Sequence, residues 1–140
     1  MANEARVFAE GVDNFVKVRT YTVADGTAIA KGALLCDGGD RTAIIHLGGF
    51  GRAPLGFATS SKVASDGNTT IGVQRTGVVD AFVDGSANSG ELAILGTTVN
   101  RVSHVVSGQL SAYEHAQAVV GRFLEDATDG EQKKIALTLG

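Results

Sequence analysis

The segment VGRFLEDATDGEQKKIALTLG, residues 120–140, closes the given sequence and predicts a complete β-hairpin. From Ile135 to Leu139 every second residue is apolar, and a period of two is typical of a strand with one buried face. Asp126–Gly130 precedes this strand and has turn chemistry, because Asp bonds nearby backbone groups and Gly accepts positive φ. We therefore expect two antiparallel strands that complete the fold.

Similar alternation predicts strands through the rest of the chain. In the first strand of the hairpin, Val120, Arg122 and Leu124 are expected to share one face. Gly77 lies inside the longest predicted strand, where we expect a bulge or a bend. The predicted strands before the hairpin cover residues 15–21, 28–36, 42–47, 55–59, 70–84, 91–95 and 99–106.

Two segments break this pattern. Asp37-Gly38-Gly39-Asp40 is typical of a turn. Ser111–Ala116 is the one helix candidate, since Ser111 and Glu114 have the spacing of a capping box. The segment is short enough to form a single turn.

The two halves of the chain resemble each other weakly. Lys31-Gly32-Ala33-Leu34 matches Ser89-Gly90-Glu91-Leu92, and Leu55-Gly56-Phe57 matches Val120-Gly121-Arg122. The spacing between matching residues drifts from 58 to 65 positions, so we infer a diverged duplication rather than a regular repeat. A duplicated β-unit that closes on itself hides its strand edges.

Composition supports the same fold class. The chain has 140 residues, which is the length of one domain, and 19 of them are glycine while one is proline. Frequent glycine with little proline suits short strands joined by tight turns. We predict an all-β protein, a small closed barrel or sandwich with at most one or two short helices. Residues 1–14 are predicted to form an extended N-terminal arm, and residues 15–140 a single β-domain.

Charge, cysteine content and hydropathy argue against nucleic-acid binding, a disulfide framework and membrane insertion. The net charge of −3, with both signs interspersed, gives no clustered basic surface for nucleic acid. Cys36 is the only cysteine, so no intrachain disulfide forms, and a small buried thiol is its expected role. No apolar run reaches the ~20 residues of a membrane helix, and the N-terminus lacks a signal-peptide pattern. We expect synthesis in a cytoplasm and no membrane partner.

Residues with catalytic or ligand chemistry do not form a recognised motif. His46, His104 and His115 lie far apart without metal-ligand spacing, so each is expected to lie on a strand or helix face. Gly48-Gly49-Phe50-Gly51 lacks the spacing of a phosphate-binding loop and is expected to be a flexible or contact loop. Asp80 lies inside a strand, where a barrel-face or interface charge explains it. We predict no enzyme activity, no cofactor and no metal.

Several of these segments resemble the phage capsid cement, or head decoration, proteins, a small β family of phage structural domains. The matching segments are Ala30–Leu34, Gly77–Ala81, Gly90–Leu92, Ala118–Ala127 with Gly130–Glu131, and Ile135–Leu137. The likeness covers residues 20–140, and its most specific part is the C-terminal hairpin. The loops at residues 47–54 and 107–117 are longer than the family pattern.

The resemblance implies a β-tulip-like structural protein on the outer surface of an expanded icosahedral head. Its expected partners are the major capsid protein and two further copies of itself, in a homotrimer at a three-fold position. Such a protein stabilises the shell, and its expected location is the virion.

The N-terminal arm is the expected docking element on the capsid. Its weak apolar pattern favours a segment that becomes ordered on a partner. The predicted capsid-binding residues are Ala2, Asn3, Glu4, Ala5, Arg6, Val7 and Phe8.

Other function classes are also compatible with the sequence. A tail-tube or head–tail connector protein is the main alternative to a capsid decoration protein. A small ligand-binding β-barrel is less favoured, because carbohydrate platforms use Trp and Tyr and this chain has no Trp and two Tyr.

Overall fold

The computed structural model describes residues 6–7, 16–49, 51–105 and 117–139. These residues form eleven strands, arranged as two barrels that follow each other along the chain. The prediction of an all-β fold with closed barrel architecture is confirmed.

The strands are short and are separated by turns, as frequent glycine predicts. In chain order they are β1 (Arg6–Val7), β2 (Val18–Thr22), β3 (Leu34–Gly39), β4 (Thr42–Ile45), β5 (Pro54–Ala58), β6 (Thr70–Gln74), β7 (Thr76–Asp84), β8 (Leu92–Leu95), β9 (Arg101–His104), β10 (Val119–Phe123) and β11 (Gln132–Thr138).

The first barrel closes in the order β2-β4-β3-β5-β6. Four of its strand pairs are antiparallel, and β2 pairs with β4 in parallel through Thr22 and Thr42. Closure leaves each strand with neighbours on both sides over at least part of its length, which satisfies the backbone groups that an open sheet would expose.

The second barrel repeats this arrangement with the next five strands. Its order is β7-β9-β8-β10-β11, and again one pair, β7 with β9, is parallel. Strand β1 adds outside this ring, pairing antiparallel with β7 through Arg6–Asp80 and Val7–Val79.

The two barrels also share their register. Leu35 lies opposite Gly56 in the first barrel, and the corresponding residues Ala93 and Gly121 lie opposite each other in the second. The spacing grows from 58 at Leu35 to 65 at Gly56, and six of these seven extra residues lie in the β9–β10 connection, which has 14 residues (105–118) where the β4–β5 connection has 8 (46–53). The weak duplication predicted from the sequence therefore corresponds to two barrels of one topology.

The two faces of β3 contribute side chains to two different hydrophobic cores. Leu35 points into the first barrel and packs with Ala58 and Val73. Its neighbours Leu34 and Cys36 point the other way and join the core cluster of the second barrel, together with Phe57 from β5. This cluster holds the two barrels together, because side chains alternate across a strand.

The C-terminal hairpin forms as predicted, with β10 antiparallel to β11 and Ile135 and Leu137 buried. The shared face predicted for Val120, Arg122 and Leu124 is wrong for Val120, which is buried while the other two are exposed. A register shift between Val119 and Gly121 in the pairing with β8 interrupts the alternation, as a bulge does.

Strand pairing changes two of the predicted boundaries. Residues 70–84 form two strands that divide at Arg75, because β6 belongs to the first barrel and β7 to the second. Strand β3 continues through Gly39, so the predicted turn at Asp37–Asp40 is reduced to Asp40 and Arg41. The predicted helix at Ser111–Ala116 lies outside the described residues.

Candidate functional site

The predicted arm is only partly described. Arg6 and Val7 form β1, so the backbone of these two residues is paired with β7 of the same chain. Ala2, Asn3, Glu4, Ala5 and Phe8, the other residues predicted to bind a capsid, lie outside the described residues. A segment of the arm is therefore able to add as a strand to a sheet edge.

The first barrel carries the counterpart of the edge that β1 occupies. Arg75 N–H donates to Lys17 O at 2.8 Å, and Val23 N–H donates to Thr69 O at 2.9 Å. Odd-numbered residues of β2 thus bond to β6, and even-numbered ones face the opposite edge. On that opposite edge, the Thr22 N–H donates to Arg41 O at 2.8 Å.

Further toward the start of β2, this edge is open. Within the described part of the chain, no residue pairs with Val18 or Thr20 on the side away from β6. Both residues are exposed, Val18 to 47%. A groove of about 340 Å³ runs beside them, lined by Arg19, Thr20, Tyr21 and Arg41.

Sequence reasoning did not find this edge. Arg19 and Arg41 lie far apart in the chain, and the parallel pairing of β2 with β4 brings them to one groove. The duplication in the sequence does not supply this signal, because its spacing of 58 at Lys31 would align Thr20 with Val78. Only the strand pairings show that Thr20 is equivalent to Asp80, the residue that pairs with β1.

His46 lies in the seam between the barrels and is 3% exposed. Its Nδ1 accepts the Asn100 N–H at 3.2 Å, and its Nε2 lies 3.3 Å from Gly49 O, which fits a neutral ring protonated on Nε2. Asn100 Oδ1 in turn accepts the Leu34 N–H at 3.0 Å. Burial lowers the pKa of His46, more than its backbone contacts raise it. This histidine links the two barrels in its neutral form.

Cys36 borders a cleft of about 410 Å³ beside His46 and Arg52. Burial raises the pKa of its thiol to about 12. The thiolate is the nucleophilic form, so the Cys36 thiol is a buried apolar group here rather than a nucleophile.

The other candidate residues have structural contacts. Asp80 is 6% exposed and lies 3.1 Å from Lys134 Nζ, which places it on a barrel strand as predicted. In the glycine loop, the Gly49 N–H donates to Gly96 O at 2.9 Å across the seam. Among the described residues, no group of three His, Cys, Asp or Glu side chains is placed to hold a metal ion.

One apolar surface is exposed at the end of the first barrel. Leu47 is 77% exposed and borders a groove of about 310 Å³ with Val23 and Ile29. Val63 is 70% exposed and follows Lys62, which bridges to Ile29. We call Leu47 and this groove the barrel-end surface. Exposed apolar groups grouped in this way are typical of interaction surfaces.

No protein-family model matches the chain, and no curated protein has significant sequence similarity to it. Within the described ranges, no helix has the length and apolar character needed to cross a membrane. These comparisons assign no family to the chain.

Proposed function

We propose that this protein is a non-enzymatic capsid decoration protein that binds the outside of an expanded phage head as a trimer. The observation that carries this proposal is the C-terminal hairpin. Within the segments that resemble decoration proteins, Val119–Phe123 forms β10 and Ile135–Leu137 lies in β11, and these two strands complete the second barrel.

The matching glycines support the proposal because they lie where the fold needs them. A Cβ on Gly121 would overlap the carbonyl oxygen of Ala136, so only glycine fits there. Gly90 has a φ of 90°, in the region that favours glycine. The resemblance therefore concerns residues that define the architecture.

The body is suited to a stabilising role. Two closed barrels joined by one core cluster make a rigid unit, and the barrel-end surface offers apolar contacts. A trimer that engages three sites at once gains affinity through high effective concentration. A ligand that binds only the expanded lattice stabilises that lattice by its binding free energy at each site.

The test is to mix purified protein with undecorated procapsids and with expanded heads, sediment both, and follow shell melting by calorimetry. We expect binding to expanded heads and a higher melting temperature. If the protein sediments with neither particle, or leaves melting unchanged, the decoration role is wrong and a tail or connector role becomes the leading hypothesis.

A pair of variants tests the barrel-end surface. Leu47→Asp places a charge in this surface and is expected to abolish head binding. Leu124→Asp is the matched control, because Leu124 is also exposed, at 47%, but lies on the second barrel. Equal binding by both variants would show that another surface contacts the shell.

A further inference from the structure

The two barrels differ in how one edge is used. In the second barrel, β7 pairs with β9 near its end and with β1 at Val79 and Asp80. In the first barrel, β2 pairs with β4 at Thr22. Arg19 and Thr20 correspond to Val79 and Asp80, and no described residue pairs with them on the side away from β6.

An unpaired strand edge is a template for another strand. The Thr20 N–H and C=O point away from β6, as those of Asp80 point away from β11. Because the register is shared between the barrels, a strand that fits β7 meets the same backbone geometry on β2. The edge therefore fits an extended segment added antiparallel, as in β-strand addition.

The charge around the edge selects among the possible strands. Arg19 and Arg41 line the groove beside Thr20. Pairing two β2 edges from two copies would bring these arginines together, and like charges across a strand pair are unfavourable. An acidic segment is favoured.

We propose that the open edge of β2 binds the N-terminal strand of a second copy of this protein. The chain's own first 15 residues contain Glu4, Glu10 and Asp13 against Arg6, a side-chain net charge of −2. Residues 6–7 of this segment already form the strand that the equivalent edge accepts. This proposal concerns the free protein and does not depend on the capsid role.

The exchange replaces one strand pairing by a similar one. On its own barrel β1 lies beside Asp80, whose carboxylate is paired with Lys134, whereas on β2 of a neighbour the segment lies beside Arg19 and Arg41. The net gain is therefore electrostatic, so the association is modest and is weakened by salt. The contact is head-to-tail, and three such contacts close a ring when the rotation between copies permits.

The primary test uses Thr20→Pro and sedimentation velocity over a concentration series at low and high salt. Proline removes the N–H that faces the open edge and leaves the β2–β6 hydrogen bonds in place, since those use Arg19 and Tyr21. We expect the wild type to associate at low salt, and Thr20→Pro to weaken association by about tenfold or more. Thr20→Val keeps the N–H and is the matched control.

A second variant covers the case in which Thr20→Pro does not fold. Arg19→Glu with Arg41→Glu reverses the charge of the groove and leaves the backbone unchanged. This double variant is expected to remain monomeric at low salt.

Disulfide trapping tests the register directly. In a Cys36→Ala background, protein carrying Val7→Cys is mixed with protein carrying Arg19→Cys. The proposed register places these residues opposite each other, at the ~4.5 Å Cα separation of a non-hydrogen-bonded pair, which a disulfide can span. Thr138→Cys, on exposed β11, is the control partner.

Preferential formation of the Val7→Cys/Arg19→Cys heterodimer, lost when Thr20→Pro is added, supports the proposal. It is overturned if the wild type stays monomeric up to millimolar concentration at low salt. It is also overturned if folded Thr20→Pro associates like the wild type, or if the Thr138→Cys partner is trapped equally well.

Discussion

The two barrels have the same strand order and the same register, yet they differ in what their equivalent positions contain. Gly56 corresponds to Gly121, and both lie where a Cβ would overlap a carbonyl oxygen of the neighbouring strand. Lys62 corresponds to Ala127, because each forms the equivalent isolated bridge, with Ile29 and Ala87 respectively. Their side chains nevertheless differ in size and charge. Equivalent positions have the same residue where a Cβ would not fit, as at Gly56 and Gly121. They have different residues where only backbone atoms make the contact, as at Lys62 and Ala127.

His46 extends this comparison, since its equivalent in the second barrel is Val105. At this pair of equivalent positions the first barrel therefore has a buried polar side chain and the second an apolar one. The three predictions below test whether the positions behave as equivalents or as differences, from the largest expected effect to the smallest.

The glycine pair tests the equivalence. Gly56→Ala and Gly121→Ala are each expected to lower the free energy of unfolding by more than about 4 kcal/mol, because a backbone oxygen must move in either barrel. Gly56 also has a φ of 143°, which strains any other residue. Urea denaturation measures the change.

The control is Gly26→Ala, where nothing lies within 4 Å of the added Cβ. Both glycine variants should unfold in a single transition, because Leu34, Cys36 and Phe57 join the two barrels in one cluster. Losses below about 1 kcal/mol would show that the strands adjust easily and that close approach is not what the positions share.

Lys62 tests a difference between the barrels. Its side chain is fully buried, and Nζ lies 2.7 Å from Asp25 O, 3.2 Å from Val63 O and 3.3 Å from Asp66 Oδ1. Lys62→Ala is expected to cost about 1.5–3 kcal/mol, the usual range for hydrogen bonds to a charged group. Thermal and urea unfolding measure it.

Lys62→Met separates packing from charge, because methionine keeps an apolar stem without the ammonium. If Lys62→Met is as stable as the wild type, the charge contributes nothing. The first barrel would then tolerate an uncharged residue here just as the second barrel tolerates Ala127.

His46 tests the seam through pH. Its folded-state pKa is lowered below the ordinary value of 6.5, chiefly by burial. The unfolded chain therefore binds the proton more readily, so this contribution to stability is complete above pH 6.5 and declines as the pH falls below it. The decline for one proton is at most about 1.4 kcal/mol per pH unit.

Unfolding free energies measured from about pH 7.5 to about pH 5.5 follow this decline. His46→Gln is expected to flatten the slope in that window, and His104→Gln is the control. An unchanged slope in His46→Gln would assign the pH dependence to other groups.

The strand content could be predicted from the sequence, and so could the extended conformation of the segment that adds to a sheet edge. Arg6 and Val7 were predicted to lie in an extended arm, and they form a strand. Arg19 and Arg41 were missed, because their proximity depends on a parallel pairing between strands that are not adjacent in sequence. The exposure of Leu47 was not predicted either, since TAIIHL reads as one buried strand and the strand ends at Ile45.

The sequence by itself determined the closing hairpin and the repeated unit. These depend on local causes, namely a period of two, the turn chemistry of Asp and Gly, and glycine at matching positions. The tertiary structure decided that each unit closes its own barrel, that a bulge buries Val120, and that one equivalent edge carries β1 while the other is open. Those outcomes depend on which distant strands pair, and the backbone hydrogen bonds that make the pairing carry no side-chain signal in the sequence.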